Sequence, residues 1–422
     1  MLWCGTIIGF GVPIRLMFPG NTPILMANGT ERPIAEIGIG NEIRSYDGTL
    51  HQVYNVIEST YTGEMCSVQL QGWDYPLVLT KTYQVATVSN SHRHAKYGAF
   101  EAGSLYWVPV SSLSKQDLAL MPGNLLPNAA TSLTLKTIDY ISDKVHVCGN
   151  TVRVLEGRKT HTIPCEIEVT EDFCRLIGLF LAEGSYGKFD GRPVEVNFTF
   201  ARHETYYHDF VQQTLKYIFG VTSRIAETDG RKSVSDVVCS NSTLARLFYN
   251  LCGEWALHKV LNPLFFRCPL EHRLALLRGW LQGDGVQNPI RTEKKKGGKV
   301  RKAVQVEGTT SSEALHRGLF RLSLDSGLKP GTQVRRQQDH QNAEPRALVF
   351  YSNDVVMVFP DHKDQIEATG IKVRGRTWYK RHSLGYLCRP KTIKVQPVEN
   401  IMVFDLEVEG GTFIANMIAV GK

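Results

Sequence analysis

The chain has 422 residues, 42% of them hydrophobic and 21% charged, which is enough for two or more domains with their own apolar cores. Its formal net charge of +7 is compatible with a polyanionic partner but does not identify one. The nine cysteines include no C-x-x-C pair, so neither a zinc finger nor a disulfide framework is indicated, and we expect no signal peptide or membrane span.

The first part of the chain predicts a meander of short β-strands. Residues 21–50 contain β-branched runs separated by turn sequences such as Asn28-Gly29 and Asp47-Gly48. Many small all-β domains share this pattern.

A longer segment, about 90–150, follows these strands and mixes basic with aromatic residues. Candidate contacts to DNA phosphates in it are His92, Arg93, His94 and Lys96. A solvated loop is an equally good interpretation. The two histidines have no further partner at metal-ligand spacing, so a metal site is not indicated.

Two apolar stretches of helical character dominate the middle of the chain. Residues 176–184 read LIGLFLAEG and residues 276–285 read LLRGWLQGDG. Each ends in one carboxylate followed by glycine, and we expect Gly184 and Gly285 to take the left-handed conformation that ends many helices.

Small residues recur four apart in both stretches, at Gly178 and Ala182 and again at Gly279 and Gly283. Residues four apart share a helix face, so two such helices can pack closely. Glu183 would then emerge beside its counterpart Asp284.

Two neighbouring carboxylates favour a cation between them, and Mg²⁺ held this way serves phosphodiester hydrolysis. We therefore expect Mg²⁺, with Mn²⁺ as a substitute, at Glu183, Asp284, Gly184 and Gly285. The alternative is a pair of ordinary amphipathic helices that carry surface acids.

The elements around these helices predict two similar halves of helices and strands. The predicted strands, whose alternate residues would face a DNA groove, are 194–200, 221–226 and 234–240 in the first half and 303–308, 333–337 and 346–351 in the second. The candidate DNA contacts on these strands and their loops are Asn197, Arg202, Arg224, Arg231, Lys232, Gln305, Arg335 and Arg336. Each of them is also compatible with a solvated charge or a phosphate contact.

A strongly basic run, 294–302, adds Lys294, Lys295 and Lys296 as contacts to the DNA backbone. A nuclear-localisation tract would use the same charges. Lys259, in the sequence HKVLNP, is a candidate to polarise the attacking water, and Lys363 is a candidate for the same role in the second half. Either lysine is also compatible with an ordinary surface position.

Residues 391–420 return to alternating strands, with FDL at 404–406 and FIAN at 413–416. Together with TPILMANG at 22–29, they resemble the closing and opening blocks of the Hint fold of inteins and hedgehog autoprocessing domains. The two acid-tipped stretches resemble the paired signature helices of the LAGLIDADG homing endonucleases.

These resemblances imply an α+β multidomain protein, in which both chain ends form an all-β Hint horseshoe around an inserted, pseudo-twofold αββαββα LAGLIDADG domain. The implied parts are 17–165, 166–370 and 371–422, with a DNA-recognition-like insertion at about 90–150. The implied activity is double-strand DNA cleavage, with Glu183 and Asp284 each serving one half-site. We expect a monomer in the nucleus, on the assumption of a eukaryotic host.

The Hint resemblance fails at the positions that carry protein splicing. Alignment on the opening block places Met17 where the family has a nucleophilic Cys or Ser, and a thioether cannot attack a carbonyl. In the T-x-x-H block, Thr80 is present but Tyr83 replaces the histidine, while Gly421 and Lys422 occupy the positions of the terminal His-Asn pair. Asp405 is retained.

We therefore expect a scaffold that has lost splicing. A self-splicing intein and a nucleic-acid-binding protein without nuclease activity are the two rival interpretations.

Overall fold

The computed structural model describes most of the chain. The described residues are 17–88, 105–123, 125, 132–156, 158, 160–227, 233–285, 288–294, 300–335, 344–351, 353–368 and 379–421.

The strands within these ranges are short, apart from β5 and β25. Their bounds are β1 (Phe18–Pro19), β2 (Pro23–Leu25), β3 (Glu31–Pro33), β4 (Glu42–Arg44), β5 (Leu50–Leu70), β6 (Leu77–Thr80), β7 (Gln84–Val88), β8 (Tyr106–Pro109), β9 (Leu118–Pro122), β10 (Thr134–Lys136), β11 (Val145–Cys148), β12 (Thr151–Val154), β13 (Ile163–Pro164), β14 (Glu166–Glu168), β15 (Gly184–Phe189), β16 (Arg192–Ala201), β17 (Arg224–Ala226), β18 (Val234–Cys239), β19 (Ile290–Lys294), β20 (Val300–Thr310), β21 (Gly331–Val334), β22 (Arg346–Tyr351), β23 (Tyr379–His382), β24 (Gly385–Cys388), β25 (Pro390–Val408), β26 (Thr412–Ala415) and β27 (Ile418–Gly421).

The helices all lie between β14 and β23. They are α1 (Glu171–Glu183), α2 (Thr205–Phe219), α3 (Ser242–Cys252), α4 (Leu270–Gly283), α5 (Glu313–Asp325), α6 (Asn353–Val358) and α7 (Lys363–Ala368). None of these described helices combines the length and the apolar character that a membrane crossing requires.

Strands from the two ends of the chain pair with each other in two sheets. The smaller sheet has the order β1-β25-β5-β4, with β6 also on β5, and its two long strands run antiparallel. The larger sheet has the order β23-β24-β9-β7-β27-β26-β2-β3, with β8 on β7. The expectation of a β-rich region built from both chain ends is therefore confirmed. Strands β8 and β9, within the segment predicted as an insertion, belong to the larger sheet.

The middle of the chain contains the order αββαββα twice, which is the order that the resemblance implies. The first copy runs from α1 to α3 and the second from α4 to α6. Their four-stranded sheets have matching orders, β15-β16-β18-β17 and β19-β20-β22-β21. The first strand of each sheet, β15 and β19, was not predicted, because each is short, largely polar and lies close after a helix end.

Two small sheets, β10-β14 and β11-β12-β13, connect the β-rich region to α1. They pack on α3: Val154 N–H donates to the Thr243 hydroxyl at 3.1 Å, and the Asn250 amide donates to the Tyr140 carbonyl at 2.6 Å. The proposed domain boundaries at 165 and 370 stay predictions.

Arg317 on α5 joins the second copy to the β-rich region. Its guanidinium donates to both carboxylate oxygens of Glu31, at 2.6 and 3.1 Å, and to the side-chain oxygen of Asn416 at 2.7 Å. It also lies over the rings of Trp73 and Tyr75, at 5.1 and 4.7 Å. A single apolar core continues through this junction.

We predict that Arg317→Met lowers the free energy of unfolding by about 3 kcal/mol, because it leaves the Glu31 carboxylate, whose side chain is only 13% exposed, without its cation. Urea denaturation measures the change. The matched control is Glu313→Gln, which removes an exposed carboxylate 3.8 Å from the same guanidinium and should have an effect near zero. Equal effects of the two substitutions would contradict the proposed importance of the Glu31 contact.

Candidate active site

Helices α1 and α4 approach so closely that side chains do not fit between them. A Cβ added to Gly178 would lie 2.1 Å from the Leu276 carbonyl oxygen, and one added to Gly279 would lie 2.2 Å from the Arg175 carbonyl oxygen. Glycine is therefore required on both sides of the contact. The predicted close packing of these two helices is confirmed.

The two helices run in the same direction. Arg175, in the first half of α1, meets Gly279 of α4. Further along both helices, a Cβ on Gly283 would lie 2.5 Å from the Ala182 Cβ and 3.5 Å from the Glu183 Cγ. Asp284 follows immediately. Both acidic residues therefore emerge at the same end of the helix pair.

Glu183 is the last residue of α1 and is half-buried. Burial raises the pKa of its carboxyl group, the charge of Lys259 lowers it, and Glu204 raises it further. Lys259 is buried, and its ammonium group donates to the carbonyls of Phe180 and Leu181 at 2.9 and 3.1 Å and, more weakly, to a third carbonyl in the last turn of α1. The lysine thus caps the negative end of the helix that carries Glu183.

Burial lowers the pKa of Lys259 to about 8, opposed by the charges of Cys252 and Glu183. Sequence reasoning identified this lysine but not the backbone carbonyls that bind it. Its predicted action on the attacking water stays a prediction.

Asp284 caps α4, and its Oδ2 accepts a hydrogen bond from the Thr309 N–H at 2.8 Å. Burial raises the pKa of this carboxyl to about 7; the Thr309 bond opposes the rise, and the charges of Glu183 and Glu307 add to it. The two acids therefore repel each other electrostatically. Thr309 was not predicted as a partner of Asp284, because the contact uses backbone and leaves no side-chain signature.

Two carboxylates with raised pKa values at one helix-pair end suit Mg²⁺, which binds one or two carboxylates and keeps several waters. Within the described residues, no cluster of three or more His, Cys, Asp or Glu side chains offers a complete metal cage. The donor set present therefore fits an ion that shares its coordination with water and a phosphate rather than a zinc site.

The two glycines after the acids differ in conformation. Gly285 has φ of +86°, the left-handed conformation that was expected. Gly184 has φ of −78° and opens β15, so the expectation of a left-handed residue there was wrong. Glycine is needed at 184 for another reason, since a Cβ would lie 2.1 Å from the ring of Phe180.

Lys363 is exposed at the start of α7. Among the described residues, no hydrogen bond or ion pair joins it to Glu183 or Asp284, so its catalytic role stays a prediction.

The first sheet presents a polar face opposite its packed face. In β16, Phe198 and Phe200 are buried, whereas Asn197 lies on the other side. Asn197 pairs with Val238, which pairs with Arg224, so Asn197 and the exposed Arg224 share the outer face. Arg202, beyond the strand, forms an ion pair with Glu227 at 3.0 Å.

The second sheet repeats this pattern. Val304 and Val306 of β20 are buried, whereas Gln305 and Glu307 alternate with them on the outer face. Arg335 forms an ion pair with Glu307. The positive charge of Arg335, a predicted DNA contact, is therefore already partly neutralised by Glu307.

Several predicted DNA contacts lie outside the described residues. They are His92, Arg93, His94, Lys96, Arg231, Lys232, Lys295, Lys296 and Arg336, and the side chain of Lys294 is likewise not described.

A second cluster gathers the predicted splicing positions. Met17 N–H donates to the Thr80 hydroxyl at 3.0 Å, and the Tyr83 hydroxyl donates to the Asp405 carboxylate at 3.2 Å. All four residues are buried, and burial raises the pKa of Tyr83 well above its usual value. Gly421 pairs with the residue after Tyr83, while Lys422 lies outside the described residues.

The raised pKa of Asp284 makes folding stability depend on pH. The folded state binds a proton up to about pH 7, whereas the unfolded carboxyl titrates near pH 4, so stability falls as pH rises between these values. We predict that in metal-free buffer Asp284→Asn stabilises the protein at pH 8 by about 1 kcal/mol, a reduced figure because the residue is partly open to solvent.

Urea unfolding at pH 4 and pH 8 measures this difference, which should vanish at the lower pH. Asp190→Asn, in an exposed turn, is the control. A gain of the same size at both pH values would show that titration of Asp284 is not its cause.

Comparisons with known proteins find a family match within the first αββαββα copy. Residues 171–253 match the family profile described as a LAGLIDADG-like domain. The chain is 24% identical over 290 residues to the uncharacterized protein MJ0043 of Methanocaldococcus jannaschii, covering 63% of this chain and 34% of that protein. It is 23% identical over 417 residues to the ATP-dependent DNA helicase Hel308 of Thermococcus kodakarensis, covering 94% of this chain and 35% of the helicase.

Among solved structures, I-DmoI in complex with DNA and Ca matches with a TM-score of 0.30 and 15% identity, over 47% of this chain and 90% of that one. The chain spans about a third of the length of the two relatives above. The chain thus contains a LAGLIDADG-like domain at 171–253, set among β-strands that come from both chain ends.

Proposed function

We propose that this protein is a homing endonuclease that makes double-strand breaks in a long DNA site by metal-dependent phosphodiester hydrolysis. The observation that carries the proposal is the emergence of Glu183 and Asp284 at one end of two parallel helices in contact. Each acid ends the first helix of its own αββαββα copy, so each copy supplies one carboxylate for one DNA strand. The LAGLIDADG-like profile match supports this assignment.

Glu183 and Asp284, with the carbonyls of Gly184 and Gly285, would hold Mg²⁺, for which Mn²⁺ can substitute. The bound ion would polarise the phosphodiester and lower the pKa of the attacking water. The Thr309 N–H orients the Asp284 carboxylate. Lys259 fixes the end of α1 and with it the position of Glu183.

The partner in this proposal is double-stranded DNA, which lies across the outer faces of the two sheets. Asn197 and Arg224 on the first sheet and Gln305 on the second present groups that can bind base edges. Arg335 would exchange its ion pair with Glu307 for a contact to a DNA phosphate. Because one chain supplies both copies, it is proposed to act as a monomer.

The β-rich region is proposed to be a Hint scaffold, with parts 17–165 and 371–422, that no longer splices. Its support is the buried cluster of Met17, Thr80, Tyr83 and Asp405, where a thioether and a neutral phenol replace a nucleophile and a histidine. The alignment covers 94% of this chain but only 35% of the helicase. Such partial coverage is expected when an element is inserted within a longer host protein. The expected nuclear location stays a prediction.

We predict that the protein linearises a supercoiled plasmid carrying the genomic flanks of its reading frame joined together, in Mg²⁺ or Mn²⁺ but not in EDTA. Glu183→Gln and Asp284→Asn should each lower the cleavage rate about 100-fold or more, because each removes a ligand that stabilises the transition state. Gel electrophoresis of the plasmid forms measures the rates.

The control is Glu171→Gln, at the opposite end of α1 from Glu183, which should cleave normally. Binding of this DNA without cleavage in either metal would favour the rival function of a binding protein.

For the scaffold, we predict that the chain expressed between its native flanking segments yields only the full-length precursor. The reason is that neither Met17 nor Tyr83 can begin acyl transfer. Intact-mass spectrometry would detect a ligated flank product, and its appearance would establish the rival function of a self-splicing intein.

A further inference from the structure

Three buried arginines surround a single buried carboxylate where β4, α4 and α5 meet. Asp325, at the end of α5, forms a two-bond ion pair with Arg321, at 2.9 and 2.5 Å. Arg273 of α4 donates to the Asp325 backbone carbonyl at 2.9 Å. Burial lowers the pKa of Arg44, the charge of Asp325 raises it, and the charge of Arg321 lowers it. The four residues are between 1% and 7% exposed.

This cluster carries more positive than negative charge. The Asp325 carboxylate accepts hydrogen bonds from Arg321 and from the Leu125 N–H at 3.2 Å, whereas Arg273 donates to the Asp325 backbone carbonyl instead. An uncompensated guanidinium in a buried position is costly. Burial lowers the pKa of Arg273, and the charges of Asp325 and Glu271 oppose this effect only in part. An anionic ligand at this position would therefore add stabilising negative charge.

A cavity of 290 Å³ opens beside the cluster, and Arg273 lines it. The Nε of Arg273 is buried and has no hydrogen-bond partner among the described residues. Arg381 of β23 and Ser383, between β23 and β24, also line the cavity. The cavity is therefore bounded by two guanidiniums and the Ser383 hydroxyl, which can donate to an anion, and by Asp325, whose carboxylate is already bound by Arg321.

The first turn of α4 also borders the cavity through Leu270. The helix is 14 residues long, and Pro269 at its N-cap offers no side-chain hydrogen bond. No side chain caps its first N–H groups, and Glu271 is the acidic residue of its first turn. Uncapped N–H groups at a helix N-terminus can bind a phosphate group.

We propose that this cavity binds a phosphate group, held by Arg273, Arg381, Ser383 and the N-terminus of α4. Phosphate satisfies several donors at once and pairs with guanidinium groups through two hydrogen bonds. The site is distinct from the acidic pair, since the 14 residues of α4 separate it from Asp284 by about 20 Å. It also joins the second copy to β23 and β24, so its occupation stabilises the junction between the two regions.

The test is thermal unfolding of the full-length protein in inorganic phosphate, with potassium chloride at matched ionic strength as reference. We expect a saturable rise of Tm in phosphate alone. Arg381→Gln should weaken the apparent phosphate affinity at least 10-fold, whereas Arg389→Gln, an exposed arginine nearby that does not line the cavity, should leave it unchanged. Equal Tm in phosphate and chloride, or equal loss in both variants, overturns the proposal.

Arg273→Met provides a second measurement. Its phosphate response should be lost, and in phosphate-free buffer it should unfold at a Tm no lower than that of the parent, because it removes an unbalanced buried charge. A variant that folds and still responds to phosphate would contradict the site. Should it fail to fold, the comparison of Arg381→Gln with Arg389→Gln decides alone, since both side chains are exposed.

The source of the phosphate is resolved by duplex DNA binding in the same variants. A phosphate response with unchanged DNA affinity in Arg381→Gln supports a free phosphate compound. A phosphate response with DNA affinity lowered in Arg381→Gln but not in Arg389→Gln supports a DNA backbone phosphate. Neither result depends on cleavage, so a nuclease-inactive protein would still support or overturn this site.

Discussion

The contact between α1 and α4 is the constraint on which the rest of this structure depends. Gly178 and Gly279 each face a backbone carbonyl that leaves no room for a Cβ, so the helix axes approach as closely as backbones allow. Because the helices are parallel, this contact brings two C-terminal ends together. Those ends are negative, and the sequence adds a carboxylate to each. The fold therefore concentrates negative charge at a place where helix packing alone gives no compensation.

The two helix ends relieve this charge in different ways. Lys259 binds the final carbonyls of α1 directly, whereas Asp284 receives one backbone N–H from β20. The two copies therefore share the same order of elements but differ in the groups that interact with their helix ends. A lysine compensates one end within the protein, and the other end keeps a carboxyl whose pKa is raised to about 7. A divalent cation would compensate both, which is the physical reason for assigning metal-dependent chemistry here.

The sequence predicted the parts of the fold that have strong local signals. The apolar stretches with small residues four apart gave α1, α4 and their contact, and alternation gave β16 and β20. Strands β15 and β19 lacked such a signal because they are largely polar and short. Backbone contacts, such as that of Thr309 with Asp284, and the conformation of Gly184 leave no trace in a pattern of side chains. The buried arginine cluster could not be predicted from the sequence, because Arg44, Arg273 and Arg321 are far apart along the chain and come together only through tertiary packing.

That cluster and Arg317 show how the β-rich region is joined to the second αββαββα copy. Arg317 has its carboxylate partner, Glu31, on β3, and Arg44 of β4 lies in the same buried charge system as Arg321 and Asp325 of α5. Removing the β-rich region would expose the apolar core and leave Arg317 without its anion. The second copy is therefore physically dependent on the strands around it. Met17 takes part in none of these contacts, so under the proposed loss of splicing the strands would still hold the two acid-tipped helices in place.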